Sequence, residues 1–267
     1  MPLSKVAEWY YRSELVALAE ETDLTYAQIA SSLGVSVRTV QNYVSGETRP
    51  KMGMATRFAQ ICGAPEARVK FLEHVIQQLY TGGLVSEREK RSLFILERAE
   101  ARSAKFLQWE PWFIPGPLQI RRYHLELLPE PSTNPELNWQ RKHRRLMTIG
   151  GRNPMPTTRF LCSSNALQQT SGWDWAKEQF EHLLEINQWP NCEIRILDGL
   201  HYGAEHAFEI FLPGNLPEAP PEFVFVESID ETRHIEEAEK VQLYDMLFNS
   251  MWSAGRQIEG DLSDWIR

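Results

Sequence analysis

The stretch T-Y-A-Q-I-A-S-S-L-G-V-S-V-R-T-V-Q-N-Y-V, residues 25–44, decides how the front of this chain folds. Thr25 and Gln28 make a capping box: the hydroxyl caps a helix start and the amide reaches back to it. That helix runs to Leu33, where Gly34 supplies the positive φ that ends it. Ser36 is a good N-cap for a second helix, which runs to about Ser45. Ala30 is the small residue where the two helices cross, and Val35 fills the turn. Val40 faces inward with Tyr43 and Val44 behind it, against Ile29 and Leu33. That leaves Ser36, Val37, Arg38, Thr39, Gln41 and Asn42 at the start and on the outer side of the second helix.

Those residue types read base edges in duplex DNA. Arg38 can bond guanine O6 and N7, and Gln41 and Asn42 can bond adenine N6 and N7. Thr39 and Val37 can touch a thymine methyl. The first helix offers free N–H groups near Thr25 and Tyr26 that can hold a phosphate. Arg49, Lys51 and Arg57 supply further phosphate contacts. Short helix pairs with an A-x-x-x-G spacing occur in many helical proteins. The joint presence of cap, turn, apolar glue and polar face is what points to double-stranded DNA.

Around this pair the first 80 residues read as consecutive short helices, over Ser13–Glu21, about Met54–Cys62, and from Pro65 onward. Residues 15–63, with S-S-L-G-V-S-V-R-T-V-Q-N-Y-V-S-G-E-T-R-P, resemble the DNA-binding domain of XRE-type, lambda-repressor-like regulators. The resemblance implies a five-helix head. Two positions depart from it: Tyr26 stands where the family often has glutamine, and Val44 where it often has glutamate. A tyrosine hydroxyl can still bond a phosphate oxygen.

Further along, F-L-Q-W-E-P-W-F-I-P-G-P-L-Q-I-R-R-Y, residues 106–123, is similar to the motif that follows the head in WhiJ-like, antitoxin-like regulators. Their pattern, I-P-G-L-L-Q-T with a later tyrosine, is matched by Ile114, Pro115, Gly116, Leu118, Gln119 and Tyr123. Pro117 and Ile120 depart. This second resemblance implies a transcriptional regulator, often encoded beside a short protein that it binds.

The chain has 267 residues, 42% of them hydrophobic and 24% charged. That is an ordinary globular balance, long enough for two domains, and it excludes extended disorder. No run is long and apolar enough to cross a membrane, and the N-terminus carries Glu8 and no apolar export core. Cys62, Cys162 and Cys192 are odd in number and lack C-x-x-C spacing, which fits a reducing cytoplasm and neither disulfides nor zinc. The net charge of −8 is unevenly placed. Residues 1–63 hold six bases and six acids, and residues 107–267 hold 14 bases and 24 acids. Within the head, Arg38, Arg49, Lys51 and Arg57 form a basic stripe. A neutral head with one basic stripe on an acidic body fits a single oriented contact with a polyanion.

Ser86-Glu87-Arg88-Glu89 reads as a second capping box, opening a long helix with Leu93, Leu96, Ala99, Ser103 and Leu107 on one side. The expected organisation is a head over 1–66, a helical connector over 67–107 and an α+β body over 108–267. In the body, Leu137–Gly150 reads as helix, Arg159–Ser163 as strand, Trp173–Gln188 as helix and Cys192–Leu197 as strand. Phe208–Leu212 and Phe223–Val226 are further strands, and His234–Ala254 is a closing helix. Strand–helix–strand over 159–197 implies one parallel crossover, so the body is a small mixed β-sheet packed with helices. The fold class is therefore α+β.

Aromatic residues concentrate in the body, and Trp109 and Trp112 are candidates to line a partner or effector surface. Arg141, Arg144 and Arg145 could bind an anion or the acidic face of a partner. His201, Glu205, His206 and Glu209 lie close together but lack the register of a metal site. No G-x-S-x-G, Walker-type or dinucleotide glycine pattern occurs. No enzyme, metal or cofactor is expected. The function read from the residues is a sequence-specific DNA-binding regulator, cytoplasmic and acting as a homodimer. Its body would bind a short protein partner or a small effector. A protein-interaction module that sequesters a partner is the alternative, and an enzyme the third.

Overall fold

The computed structural model describes residues 3–80, 84–87, 93–127, 134–199, 201–216, 218–228 and 230–266. The chain forms two compact units: Met1–Arg98 with Ile229–Glu236, and Ala99–Ser228 with Glu237–Arg267.

The first unit opens with α1 (Lys5–Glu21), eight residues earlier than the expected start at Ser13. Ser4 caps it, accepting from the Ala7 N–H at 3.1 Å, and Val6, Ala7 and Tyr10 in its first turns are buried. Then come α2 (Tyr26–Leu33), α3 (Val37–Val44), α4 (Met52–Ile61) and α5 (Glu66–Gln78). This is the five-helix head. Tyr10 meets Phe71 edge-on at 5.4 Å in its core, where Leu33, Val40, Phe58 and Leu72 are also buried. Glu14 is buried on α1 but paired, to Arg68 and to Arg98 Nη2 at 3.0 Å.

β1 (Leu84–Glu87) corrects the expected capping box at 86–89: Ser86 and Glu87 are strand, and residues 88 and 89 lie outside the described residues. α6 (Leu93–Arg102) is helical as expected but ends before Ser103. Leu107 belongs instead to β2 (Lys105–Glu110). β2 has hydrogen-bonded strands on both sides, and its inner residues Phe106–Trp109 are all buried. Burial on both faces removes the alternation that would have marked it as a strand.

The second unit continues with α7 (Pro135–Gly150), β3 (Thr157–Ser163), α8 (Ser164–Gln168), α9 (Ala176–Ile186) and β4 (Cys192–Leu197). After these come β5 (Phe208–Leu212) and β6 (Phe223–Glu227). β7 (Glu231–Ile235) returns to the first unit and pairs antiparallel with β1, Leu84 opposite His234. His234 is therefore a strand residue, and the closing helix α10 (Ala238–Ala254) starts after it. β8 (Arg256–Gln257) is the last strand.

In the second unit the strands lie in the order β6-β5-β2-β3-β4-β8. The β2–β3 and β3–β4 pairs are parallel and the others antiparallel. The parallel crossover from β3 to β4 runs through α8 and α9. Phe106 packs on Phe160 and Phe211, and Phe211 stacks on Phe223 at 4.8 Å. The fold is α+β, a helical head followed by a mixed sheet with helices.

Candidate nucleic-acid interface

The α2–α3 pair is built as the local chemistry requires. Gln28 Oε1 accepts from the Thr25 N–H at 2.8 Å, and Thr25 Oγ1 accepts from the Gln28 N–H at 3.3 Å. The capping box leaves the N–H groups of Tyr26 and Ala27 without a hydrogen-bond partner among the described residues. Gly34 takes φ 73° and ψ 34°, and the Val35 N–H closes the turn on the Ala30 carbonyl at 3.0 Å. Ser36 caps α3, accepting from the Thr39 N–H at 3.1 Å, and its hydroxyl also bonds Thr39 Oγ1 at 2.8 Å.

Val40 anchors α3 in the core, and Val37, Arg38 and Gln41 are left exposed. The Arg38 and Gln41 side chains make no hydrogen bond or ion pair among the described residues. Tyr26 at the head of α2 is also exposed. Together these make a surface carrying a guanidinium, a carboxamide, a phenol and an apolar contact, with helix N–H groups beside them.

The other predicted residues are more constrained. Asn42 is half-buried, and its side-chain amide, turned so that the nitrogen faces the acceptors around it, donates to Glu47 Oε2 at 2.9 Å and to the Arg38 carbonyl at 3.1 Å. Its main-chain carbonyl accepts from the Thr48 N–H at 3.0 Å, so Asn42 organises the loop after α3. Arg49 donates to Glu8 at 2.9 Å, and Arg12 donates to the same oxygen at 2.8 Å. Tyr11 Oη donates to the Pro50 carbonyl at 2.9 Å. Lys51 precedes α4 and is exposed, and Arg57 donates to the Ser32 carbonyl at 2.9 Å. Glu8 was missed by sequence reasoning. It holds Arg49 of the basic stripe, together with Arg12 of its own helix, against the protein, and its local signal is the Glu8–Arg12 spacing of one helical turn.

In the second unit, Trp109 is buried and its Nε1 donates to the Ala204 carbonyl at 2.9 Å, so it is a core residue. Trp112 is exposed. Arg145 turns inward from α7, donating to Glu100 Oε1 at 2.6 Å, while Arg141 is half-buried and Arg144 exposed. The basic run is thus split between an internal ion pair and an outer surface.

The motif at 114–123 closes on itself. The Ile114 N–H donates to Tyr123 Oη at 3.1 Å, and Gln119 Nε2 donates to the Ile114 carbonyl at 2.6 Å. Gln119 Oε1 accepts from Lys142 Nζ at 2.7 Å, and Gln179 of α9 bonds both Leu118 and Ile120 main chains at 2.9 Å. His201 and His206 fall in the loop before β5, and Glu209 is buried on β5 beside Arg145. Among the described residues no group of three or more His, Cys, Asp or Glu could hold a metal ion. Among them, too, no helix is long and apolar enough to cross a membrane.

A family model described as a domain of unknown function (DUF5753) matches residues 95–259, and one described as a helix-turn-helix domain matches residues 12–72. No curated protein matches the chain. Among solved structures, NucT from Helicobacter pylori is similar with a TM-score of 0.41 and 8% identity, over 66% of this chain and 98% of its own. TrmBL2, an archaeal chromatin protein whose structure shows a novel mode of DNA binding, aligns with a TM-score of 0.34 and 15% identity, over 91% of each chain. Neither similarity is close enough to bear on fold or function here.

Proposed function

The chain belongs to the DUF5753 family and carries a helix-turn-helix domain ahead of it, and we propose that it is a sequence-specific DNA-binding transcriptional regulator of XRE type. The supporting observation is the exposed start of α3. Arg38 and Gln41 stand on a capped helix, fixed by Val40 and by the Gly34 turn, with no hydrogen bond or ion pair holding their side chains among the described residues. A recognition helix needs this arrangement, because side chains already committed to the protein cannot read bases. Arg38, Gln41 and Val37 take the base edges in this reading. Thr25, Tyr26 and Lys51 take phosphates. Ser36 and Thr39 set the start of the helix, and Asn42 and Arg49 hold the loop behind it.

The second unit, in the same reading, binds a short protein partner or a small effector and couples that binding to DNA affinity, as in WhiJ-like, antitoxin-like regulators. Exposed Trp112 is its candidate contact, with Arg141 and Arg144. No catalysis is assigned to it, and the protein is placed in the cytoplasm. The test is selection of genomic fragments with the purified full chain, followed by fluorescence anisotropy on the best fragment at two salt concentrations. A discrete fragment whose affinity falls steeply with salt supports the reading, because each neutralised phosphate releases counterions. Weak binding without sequence preference contradicts it and favours a partner-sequestering module.

A further inference from the structure

The strand register builds a polar patch on one face of the second unit's sheet. Gln108 of β2 stands opposite Glu209 of β5, and Glu209 opposite Phe225 of β6. Side chains alternate along a strand, so Glu110 and Glu227, each two residues further on, share that face. β2 and β6 both run antiparallel to β5, which puts Glu110 and Glu227 at the same end of the sheet. Glu110 is half-buried and Glu227 exposed, so the patch opens to solvent there.

Its internal bonding is incomplete. Arg145 belongs chiefly to Glu100: its Nη2 lies 2.6 Å from Glu100 Oε1 and 3.4 Å from either oxygen of Glu209. The amide of Gln108 lies beside Glu110. Its oxygen, Oε1, is buried with no hydrogen-bond partner among the described residues, in a side chain only 3% exposed. A buried acceptor left unpaired is costly, so this one calls for a donor. The carboxyls beside it call for positive charge. No described group has the ligand set of a metal site, so a cation that brings its own N–H donors fits better than a bare ion.

We propose that this face binds the ammonium group of a small organic amine, which donates to Gln108 Oε1 between the carboxyls of Glu110 and Glu209. The charge balance agrees. Burial, and then Glu209 and Glu227, push Glu110 up to about 8 against the pull of Lys142 and the Gln108 amide. The Tyr123 hydroxyl and the Cys162 thiol also face Glu110. Burial raises Glu209 as well, opposed by Arg145 and reinforced by Glu100 and Glu227. A positive charge beside these carboxyls favours their ionised form, with release of any proton they carry. A bound ammonium displaces such protons, so affinity rises with pH. The site stands apart from the DNA-binding reading, and its test uses no DNA.

The experiment is titration calorimetry of the full chain with n-butylammonium, tetramethylammonium and neutral N-butylacetamide. The expected result is binding of n-butylammonium alone, with proton release and tighter at about pH 9 than at about pH 6. Gln108→Met, checked by its melting curve, should weaken that binding about tenfold or more. Absence of n-butylammonium binding to the native chain overturns the proposal. So does equal binding of tetramethylammonium, which has no N–H, or unchanged affinity in a folded Gln108→Met. If that variant does not fold, the three-ligand series on the native chain decides.

Discussion

At Gly34 the backbone is left-handed, and a Cβ added there would meet nothing within 4 Å. Conformation alone therefore demands glycine. Gly34→Ala should cost about 1–2 kcal/mol, seen as a lower urea midpoint at unchanged slope. A neutral effect would contradict that account. Gly46 is left-handed too, and a Cβ there would only touch Arg12 Cδ at 3.4 Å, so at Gly46 as well the backbone conformation is what demands glycine. Glu8 holds Arg12 and Arg49 against the head, so Glu8→Gln should release them and tighten non-specific DNA binding, most visibly at low salt. Unchanged affinity for a random duplex would count against it. His234 carries a pH prediction. Burial lowers it to about 4, against the support of the Leu84 carbonyl. The unfolded chain then takes up a proton below about pH 6.5 that the folded chain refuses. Stability should fall as pH drops from there towards 4, by up to about 3 kcal/mol, with no further loss from this group below. Urea unfolding across that range should show a shallower slope in His234→Gln. The single-residue signals legible in sequence were those acting on their own backbone: the caps Thr25 and Ser36, and the turn at Gly34. That Asn42 spends its amide on Glu47 was not legible, because base-reading and loop-holding ask for the same side chain.

Among elements, α2 and α3 were readable because cap, periodicity and terminator all lie within the stretch itself. β2, β1 and β7 were not. β2 is buried throughout and loses its alternation, so Leu107 passed for the next position of a helical face. β1 is recognised only through β7, whose residues lie far along the chain. The orientation of α7 was hidden for a similar reason. Nothing local distinguishes Arg145 from Arg144, since the acids that draw Arg145 inward, Glu100 and Glu209, stand 45 and 64 residues away. That pairing has a measurable consequence. Arg145→Ala leaves Glu100 buried without its main partner and should cost about 3–5 kcal/mol in unfolding experiments. A loss near that of a surface ion pair, below about 1 kcal/mol, would mean that the pair is not buried in solution.

For the whole molecule, α6 is the element that runs from the first compact unit into the second. Its Arg98 joins Glu14 of the first, and its Glu100 joins Arg145 of the second. Charge frames the proposed function at this scale. The head is neutral in sum and the full chain is at −8, so in the proposed function DNA affinity comes from an oriented contact through groups such as Arg38 and Lys51 and not from bulk attraction. One head offers few phosphate contacts, so the proposed regulator should bind as a dimer on two half-sites about one helical turn apart. Sedimentation of the complex should give two chains per site, and one chain per site at full affinity would contradict the dimer. The most direct test of the central claim is the affinity of Arg38→Ala, relative to the native chain, on the selected fragment and on a scrambled duplex. Arg38→Ala should lose about 1–3 kcal/mol on the selected fragment and little on the scrambled one. Equal losses on both, or none on either, would mean that α3 does not read the sequence.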